Sequence, residues 1–486
     1  MAANIPNISQ LHMVLFPFMG KGHTIPLLDL AKLLLNRGAA VTIFTTKANR
    51  PFISDYFADY PYISIINLPF PGNISGIPSG VECTDKLPSA SLIYPFASAT
   101  KQMQPHFEQA LQALPHVDFI VSDVFLGWTL ESALKFGIPR LSFFGMNYYS
   151  TVVTQEVGLT GSILLPESDD EPVIVPNFPW IKITRNDFPE PFNGSNGPHM
   201  DWIMEQLQKS SESFGLIVNS FYELEPIFVD YWNRESKSKS WCIGPLCLVE
   251  PPKTKLHSQS QLQPQAAVAL AQQQKFKWEE WLDQKLAQGC PVLYVAFGTQ
   301  AVISPEQLQE IAIGLEESKV NFFWVIKEKA EWLDGFQEKV MGRGIIVREW
   351  ANQRQILEHD AVQGFLSNCG WNSILESICA KVPILAWPMI ADQHLNARML
   401  RQELKIGLRV KTVNGSVRGF VNSQDLGKMV VELMEGERGK ELRRKVEELS
   451  DAAKRAVEEG GSSWNELNKL ISQVKSAGYN IQDTAA

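Results

Sequence analysis

The sequence predicts an α/β protein built from two doubly wound parallel-sheet domains, and three observations carry that expectation. At 486 residues the chain is long for one domain, and two are expected. In each half an apolar strand runs through a turn into a helix and on to a second strand, over residues 12–45 and again over residues 363–387. That is the repeating unit of parallel sheets. Between the halves the composition breaks at residues 251–274 (PPKTKLHSQSQLQPQAAVALAQQQ), low in aromatics and high in Gln and Ala, as in an interdomain linker. The expected division is a domain over residues 1–248, a mobile linker over 249–275, a domain over 276–460 and a closing segment over 461–486.

Composition narrows the function. The chain is 45% hydrophobic, which is ample for large cores, and its formal charge of −9 argues against nucleic acid as a partner. The six cysteines (83, 242, 247, 290, 369 and 379) form no CxxC pair and no metal spacing, so reduced thiols are expected. The N-terminus has no basic n-region, and no run reaches the ~18 apolar residues of a membrane helix. A cytoplasmic chain with no stable membrane anchoring is expected.

Taken in order, residues 12–18 (HMVLFPF) form a buried strand that enters the glycine turn Gly20–His23. A helix follows, with Thr24 as its expected cap, Pro26 in its first turn and Leu27, Leu28, Leu30, Ala31 and Leu34 on its apolar face. It stops at Arg37-Gly38, and a strand over Val41–Thr45 completes the unit. A second strand, Phe119–Val121, ends in Ser122-Asp123. Singly, an Asp after a strand is most often a helix cap, and a lone His there is structural. As a pair, Asp123 would fix the tautomer of His23 and leave its second nitrogen as a base. Strands continue at Arg140–Phe144 and Leu216–Ser220, and the region Pro166–His199 reads as loop with short helices. Ile93–Phe96, Met146–Tyr149 and Phe188–Phe192 are candidate acceptor walls, with aromatic core as the competing reading.

The second half begins with a helix at Trp278 and a strand over Val292–Phe297 that runs into Gly298-Thr299-Gln300. A helix over Pro305–Glu317 and strands over Phe322–Ile326 and Gly344–Arg348 lead to strand Gln363–Ser367. Helix Asn372–Ala380 and strand Val382–Trp387 follow. The turn Asn368–Ser373 places a glycine and small polar residues at a helix N-terminus, where free N–H groups and the helix dipole favour phosphate. Glu376, one turn inside, suits ribose hydroxyls, and Asp392-Gln393 after the next strand suits the hydroxyls of a sugar. The stretch therefore reads as a nucleotide-sugar pocket. An amphipathic surface helix over Lys440–Glu459, a Gly460-Gly461 break and a helix over Ser462–Ser476 close the chain.

The motifs sharpen this reading. Residues 350–393 contain QxxIL (Gln353–Leu357), His359, GWNSxLES (Gly370–Ser377), Val382-Pro383, Trp387-Pro388 and the closing Asp392-Gln393. Together they resemble the signature box of plant family 1 UDP-glycosyltransferases. Pro17–Pro26 resembles that family's PxxxxGHxxP motif, and Ser122-Asp123 with Trp128 resembles its Asp-bearing segment. The resemblance implies the GT-B arrangement, two Rossmann-like domains facing across a cleft, with the last helix crossing back to the first domain. It also implies that His23 is the catalytic base and Asp123 its support. On the donor side it implies Trp350 stacked on uracil, Ala351 beside the base, Gln353 and Glu376 on ribose, and Thr299, Gly370, Asn372 and Ser373 on the diphosphate. It implies Trp371, Asp392 and Gln393 on the sugar. Ile93, Met146 and Phe188 would stand on the acceptor side.

The expected reaction is inverting glucosyl transfer from UDP-glucose to a small lipophilic phenolic acceptor such as a flavonoid, by a monomer that needs no metal or other cofactor. The same dyad serves C-glucosylation of a polyphenol ring, and a non-catalytic UDP-sugar-binding protein is the remaining alternative. Four positions depart from the family pattern: Asn368 for His, Asn352 for Pro, Gln363 for Gly and Lys381 for Gly. Asn368 still donates one amide hydrogen bond to the diphosphate but cannot become cationic.

Overall fold

The structure, a computed structural model, describes residues 11–194, 197–250, 277–327, 331–349 and 351–483. Nearly all of the expected linker, and Trp350, lie outside the described residues. The strands of the first half are β1 (His12–Phe16), β2 (Ala40–Thr45), β3 (Ser64–Asn67), β4 (Phe119–Asp123) and β5 (Arg140–Phe144). They continue with β6 (Val173–Val175), β7 (Phe178–Ile183), β8 (Gly215–Val218) and β9 (Ser240–Cys242). The second half has β10 (Val292–Ala296), β11 (Asn321–Val325), β12 (Gly344–Val347), β13 (Val362–Ser367), β14 (Ile384–Ala386) and β15 (Gly407–Arg409).

Two parallel sheets result, ordered β3-β2-β1-β4-β5-β8-β9 and β12-β11-β10-β13-β14-β15. Helices cover both faces, which is why β4, β5 and β10 are buried along their whole length. In each sheet the strand order reverses once, between β1 and β4 and between β10 and β13. In doubly wound sheets ligands bind outside the carboxyl ends of the strands at such a reversal. His23 follows β1 and Asp123 ends β4; Thr299 follows β10 and the 368–373 turn follows β13. Topology alone thus delivers every expected catalytic and phosphate residue to a switch point.

The helix after β1 spans Lys21–Asn36 and buries Leu27, Leu28, Leu30, Ala31 and Leu34 as expected, ending at Arg37 with Gly38 at φ 90°. Thr24 is not its cap. The chain turns so tightly after β1 that Gly20 takes the N-cap position, and Thr24 sits inside the first turns donating its hydroxyl to Phe18 O at 3.0 Å. A β-carbon on Gly20 would lie 2.5 Å from Thr84 Oγ1, so the close approach requires glycine.

Residues 166–199 also differ from the loop expected there. They contain the antiparallel β6–β7 hairpin, which buries Val173, Val175, Phe178, Ile181 and Ile183. Pro176 and Pro179 interrupt its alternation and hide it from a pattern reading. The last helix spans Ser462–Asp483 and buries Leu467, Leu470, Ile471 and Val474 in the same core as Met13 and Leu15 of β1, so it does return to the first half. All six cysteines are unbridged, and no helix among the described residues is long and apolar enough to cross a membrane.

Candidate active site

His23 lies in the first turn of its helix, with Nδ1 2.8 Å from Asp123 Oδ2. Asp123 is fully buried, and its other oxygen accepts from Phe125 N at 3.0 Å. The capping role and the His-supporting role are therefore both filled, one by each carboxylate oxygen. A carboxylate only accepts, so the proton between them belongs to His23 Nδ1 and Nε2 is left with its lone pair. Behind Asp123, the buried Arg140 donates to Ser122 Oγ, Thr129 Oγ1, Ser213 Oγ and the Asp123 carbonyl. Burial lowers the proton affinity of His23, but the charge and hydrogen bond of Asp123, with Asp392 and Asp85 farther off, outweigh it and raise the pKa. The side chain remains 28% exposed, enough for a substrate to reach it.

Aromatic rings surround the imidazole. Phe18 meets it edge-on at 5.3 Å, and Phe125 lies tilted against it at 5.1 Å. Phe125 leads outward to Trp202 at 5.3 Å, which neighbours Tyr94, itself stacked on His199 at 5.2 Å. Of the expected acceptor residues, Ile93 and Met146 are half-buried and remain available to a ligand. Phe188 does not. It is 2% exposed within the same core as Phe178 and Phe228, because the β6–β7 hairpin folds the segment inward. Phe96, Tyr148 and Tyr149 are core as well. No sequence pattern singles out Phe125 or Trp202; the available signal is an aromatic two residues after Asp123.

On the donor side, helix Trp371–Cys379 starts from Gly370 with no side-chain cap, leaving first-turn N–H groups for a ligand. The preceding Cys369 is held at φ 64°, an uncommon conformation for a non-glycine residue that aims the turn. Asn368 is 7% exposed and packs so closely on Gly298 (φ 75°) that a β-carbon there would lie 2.9 Å from its Nδ2. Gln353 Nε2 donates to both Ser373 Oγ and Glu376 Oε2 at 2.8 Å, joining the expected phosphate and ribose residues. Ala351 is half-buried. Trp371 is buried with its indole N–H given to Asn219 O at 2.8 Å, so its expected sugar contact narrows to its backbone N–H. Lys381, one of the four departures, adopts the positive φ of 63° that a glycine would take freely, and its ammonium pairs with Glu447 at 2.8 Å.

Asp392 and Gln393 follow β14. The Gln393 carbonyl accepts from Met389 N and Ile390 N, both at 2.9 Å, which leaves its NH₂ for a sugar hydroxyl. Asp392 is held by Asn396, whose amide is saturated: it donates to Asp392 Oδ2 and Cys369 O and accepts from Asn147 and Ser150 of the first half. Replacing Asn396 by Ala unpairs several buried polar groups at about 1–3 kcal/mol each. A clear fall in thermal midpoint is expected, and an unchanged midpoint would show that the network carries no stability.

Three further contacts join the halves at this cleft. Asn372 Nδ2 donates to Gly22 O at 2.7 Å, Thr299 Oγ1 to Asp85 Oδ1 at 2.5 Å and Gln300 Nε2 to Thr84 Oγ1 at 2.8 Å. A phosphate that takes the Thr299 hydroxyl must therefore displace the Asp85 carboxylate. His23 and the phosphate turn are separated by one residue and one hydrogen bond.

The chain is similar to known proteins along nearly its whole length. Residues 254–447 match the family described as "UDP-glucoronosyl and UDP-glucosyl transferase". The chain is 52% identical to UDP-glycosyltransferase 90A1 of Arabidopsis thaliana over 95% of its own length and 96% of that protein. It is 35% identical to UDP-glucose flavonoid 3-O-glucosyltransferase 7 of Fragaria ananassa, over 99% of both. Among solved structures, Phytolacca americana UGT2 complexed with UDP-2fluoro-glucose and pterostilbene superimposes with a TM-score of 0.78 at 28% identity, covering 96% of this chain and 100% of that one.

Proposed function

The chain belongs to the plant family 1 UDP-glycosyltransferases, and from that premise we propose that it is an inverting glucosyltransferase that moves glucose from UDP-glucose to a small phenolic acceptor. One observation carries the mechanism: the Asp123-held imidazole of His23 stands beside Gly22, whose carbonyl is bonded by Asn372 of the phosphate turn. Nε2 of His23 takes the proton of the acceptor hydroxyl, and the oxygen attacks the anomeric carbon opposite the leaving UDP. Inversion follows from that single displacement. The Asp123 carboxylate stabilises the imidazolium that forms. First-turn N–H groups at Trp371–Ser373, which no side chain caps, and the positive end of the helix meet the charge growing on the diphosphate, and no metal is assigned to that task. Gln353 and Glu376 hold ribose, Ala351 lies beside the base, and Asp392 and the Gln393 NH₂ hold glucose. The half-buried rings of Phe125, Tyr94 and Trp202, with Ile93 and Met146, give the acceptor an apolar, stackable wall.

The relatives support the donor and the acceptor class, since one is named for flavonoids and another is bound to a UDP-fluoroglucose and a stilbene. The test is mass spectrometry of the purified protein incubated with UDP-glucose and a panel of flavonoids, chalcones and simple phenols. A hexose gain reversed by hot acid is the expected result. An acid-stable hexose product would assign C-glucosylation instead. UDP binding with no transfer from any UDP-sugar would overturn the catalytic reading in favour of a binding protein.

A further inference from the structure

The His23 helix is gripped by the donor half at two places, and only the first has been explained. Asn372 holds Gly22 at its N-terminal end. Six residues beyond His23, about 9 Å along the axis, Asp29 is bonded by both terminal nitrogens of Arg354. Asp29 is 2% exposed and also accepts from Tyr56 OH at 2.5 Å. The third guanidinium nitrogen, Nε, donates to Glu376 Oε1 at 3.2 Å, while Gln353 holds Oε2. One planar group therefore touches the ribose carboxylate and the helix of the catalytic base at once. A bidentate Arg–carboxylate pair is geometrically exacting in a way that a lysine is not. Burial holds the Glu376 pKa above the ordinary carboxylate value, and Arg354 and Gln353 act against that rise.

We propose that Arg354 is a positioning residue: it orients Glu376 for the ribose and, through Asp29, sets the His23 helix in register with the anomeric carbon of the donor bound there. A seated ribose, which bonds Glu376, then stiffens the grip on the base across the cleft. The inference rests on the reading of the protein as a UDP-sugar transferase, but its two arms are separable. Asp29 does not touch Glu376, so Asp29→Asn releases the helix and leaves the ribose carboxylate held. Arg354→Met removes both.

The experiment measures UDP affinity by calorimetry, its ratio to the affinity for 2′,3′-dideoxy-UDP, and steady-state kcat and KM with UDP-glucose. Asp29→Asn is expected to bind UDP within about twofold of wild type while kcat falls about tenfold or more, as small misplacements of reacting groups do. In Arg354→Met the UDP affinity falls about tenfold and the preference for UDP over its dideoxy analogue collapses. Arg354→Met leaves Asp29 and Glu376 buried without their shared cation, so the Asp29→Asn/Arg354→Met double variant, which removes the charge at Asp29, guards against simple unfolding. It is expected to melt above Arg354→Met and to show both defects. A kcat within twofold of wild type in Asp29→Asn overturns the helix-positioning half. An unchanged UDP to dideoxy-UDP ratio in the double variant overturns the ribose half. Should the wild type transfer no sugar, the transferase reading fails and the nucleotide ratio still decides the role of Arg354 at Glu376.

Discussion

His23→Ala is expected to leave a folded protein that binds UDP and has lost ~10²–10⁴-fold in kcat. The size follows from the role. A positioned base of near-neutral pKa contributes that much, and the alternative, ionisation of a phenol in bulk solvent before binding, carries no orientation. The fold should tolerate the change because the imidazole is 28% exposed and belongs to the cleft rim rather than to a core layer. Two effects of the substitution can be told apart. Asp123 loses its partner while staying fully buried, which lowers stability; the chemistry loses its proton acceptor, which lowers kcat alone. Calorimetric UDP affinity close to wild type together with a collapsed kcat identifies the second. If the folded variant turned over near the normal rate, another group would have to be the base, and no assignment made from the dyad would stand.

How much of this could be read in advance depends on how far apart the interacting residues lie in the chain. His23, Asp123, Thr299 and the 368–373 turn are each placed by the strand just before them, so a strand-ending pattern sufficed to put them at a sheet edge. The family-like spacing then related them to one another. The β6–β7 hairpin escaped because two prolines break its alternation, and with it went the fate of Phe188, which the hairpin carries into the core. Thr24 was assigned as a cap from residue type, whereas the turn geometry at Gly20 decided where the helix starts.

The contacts that close the cleft have no local signature at all. Arg354 reaches Asp29 across 325 positions, Asn147 reaches Asn396 across 249 and Thr299 reaches Asp85 across 214. Each pairs a residue on one half with a partner on the other. Packing one sheet's carboxyl edge against another's brings them together, and nothing in the spacing of either segment announces it. The clearest gain from the structure is therefore the set of hydrogen bonds that join the two halves at the cleft.

Asp123→Asn tests that base from behind. Asn has nearly the shape of Asp, and its carbonyl can still take Phe125 N, so the turn after β4 is expected to survive. Its NH₂, however, then faces His23 Nδ1, where Asp123 now accepts at 2.8 Å. Two donors cannot share that bond, so the ring proton moves to Nε2, which is the atom that has to receive the acceptor's proton. The same change in a Ser-His-Asp triad costs about 10⁴ in kcat, and a loss of that order is expected here. The pH profile supplies a second readout with a definite sign. In the wild type, burial depresses the His23 pKa but Asp123, aided by Asp392 and Asp85, raises it above 6.5. A base must be deprotonated to work, so kcat/KM climbs with pH through that raised value. Without the Asp123 charge, burial faces only the two farther carboxylates, and the acid limb of kcat/KM moves to lower pH even as the plateau falls. The linked stability has the matching sign: the pairing stabilises the fold below the unfolded His pKa and fades as pH rises through the folded one. Removing it should flatten that dependence. An acid limb unchanged in Asp123→Asn would mean that the titrating group in catalysis is not the imidazole Asp123 holds.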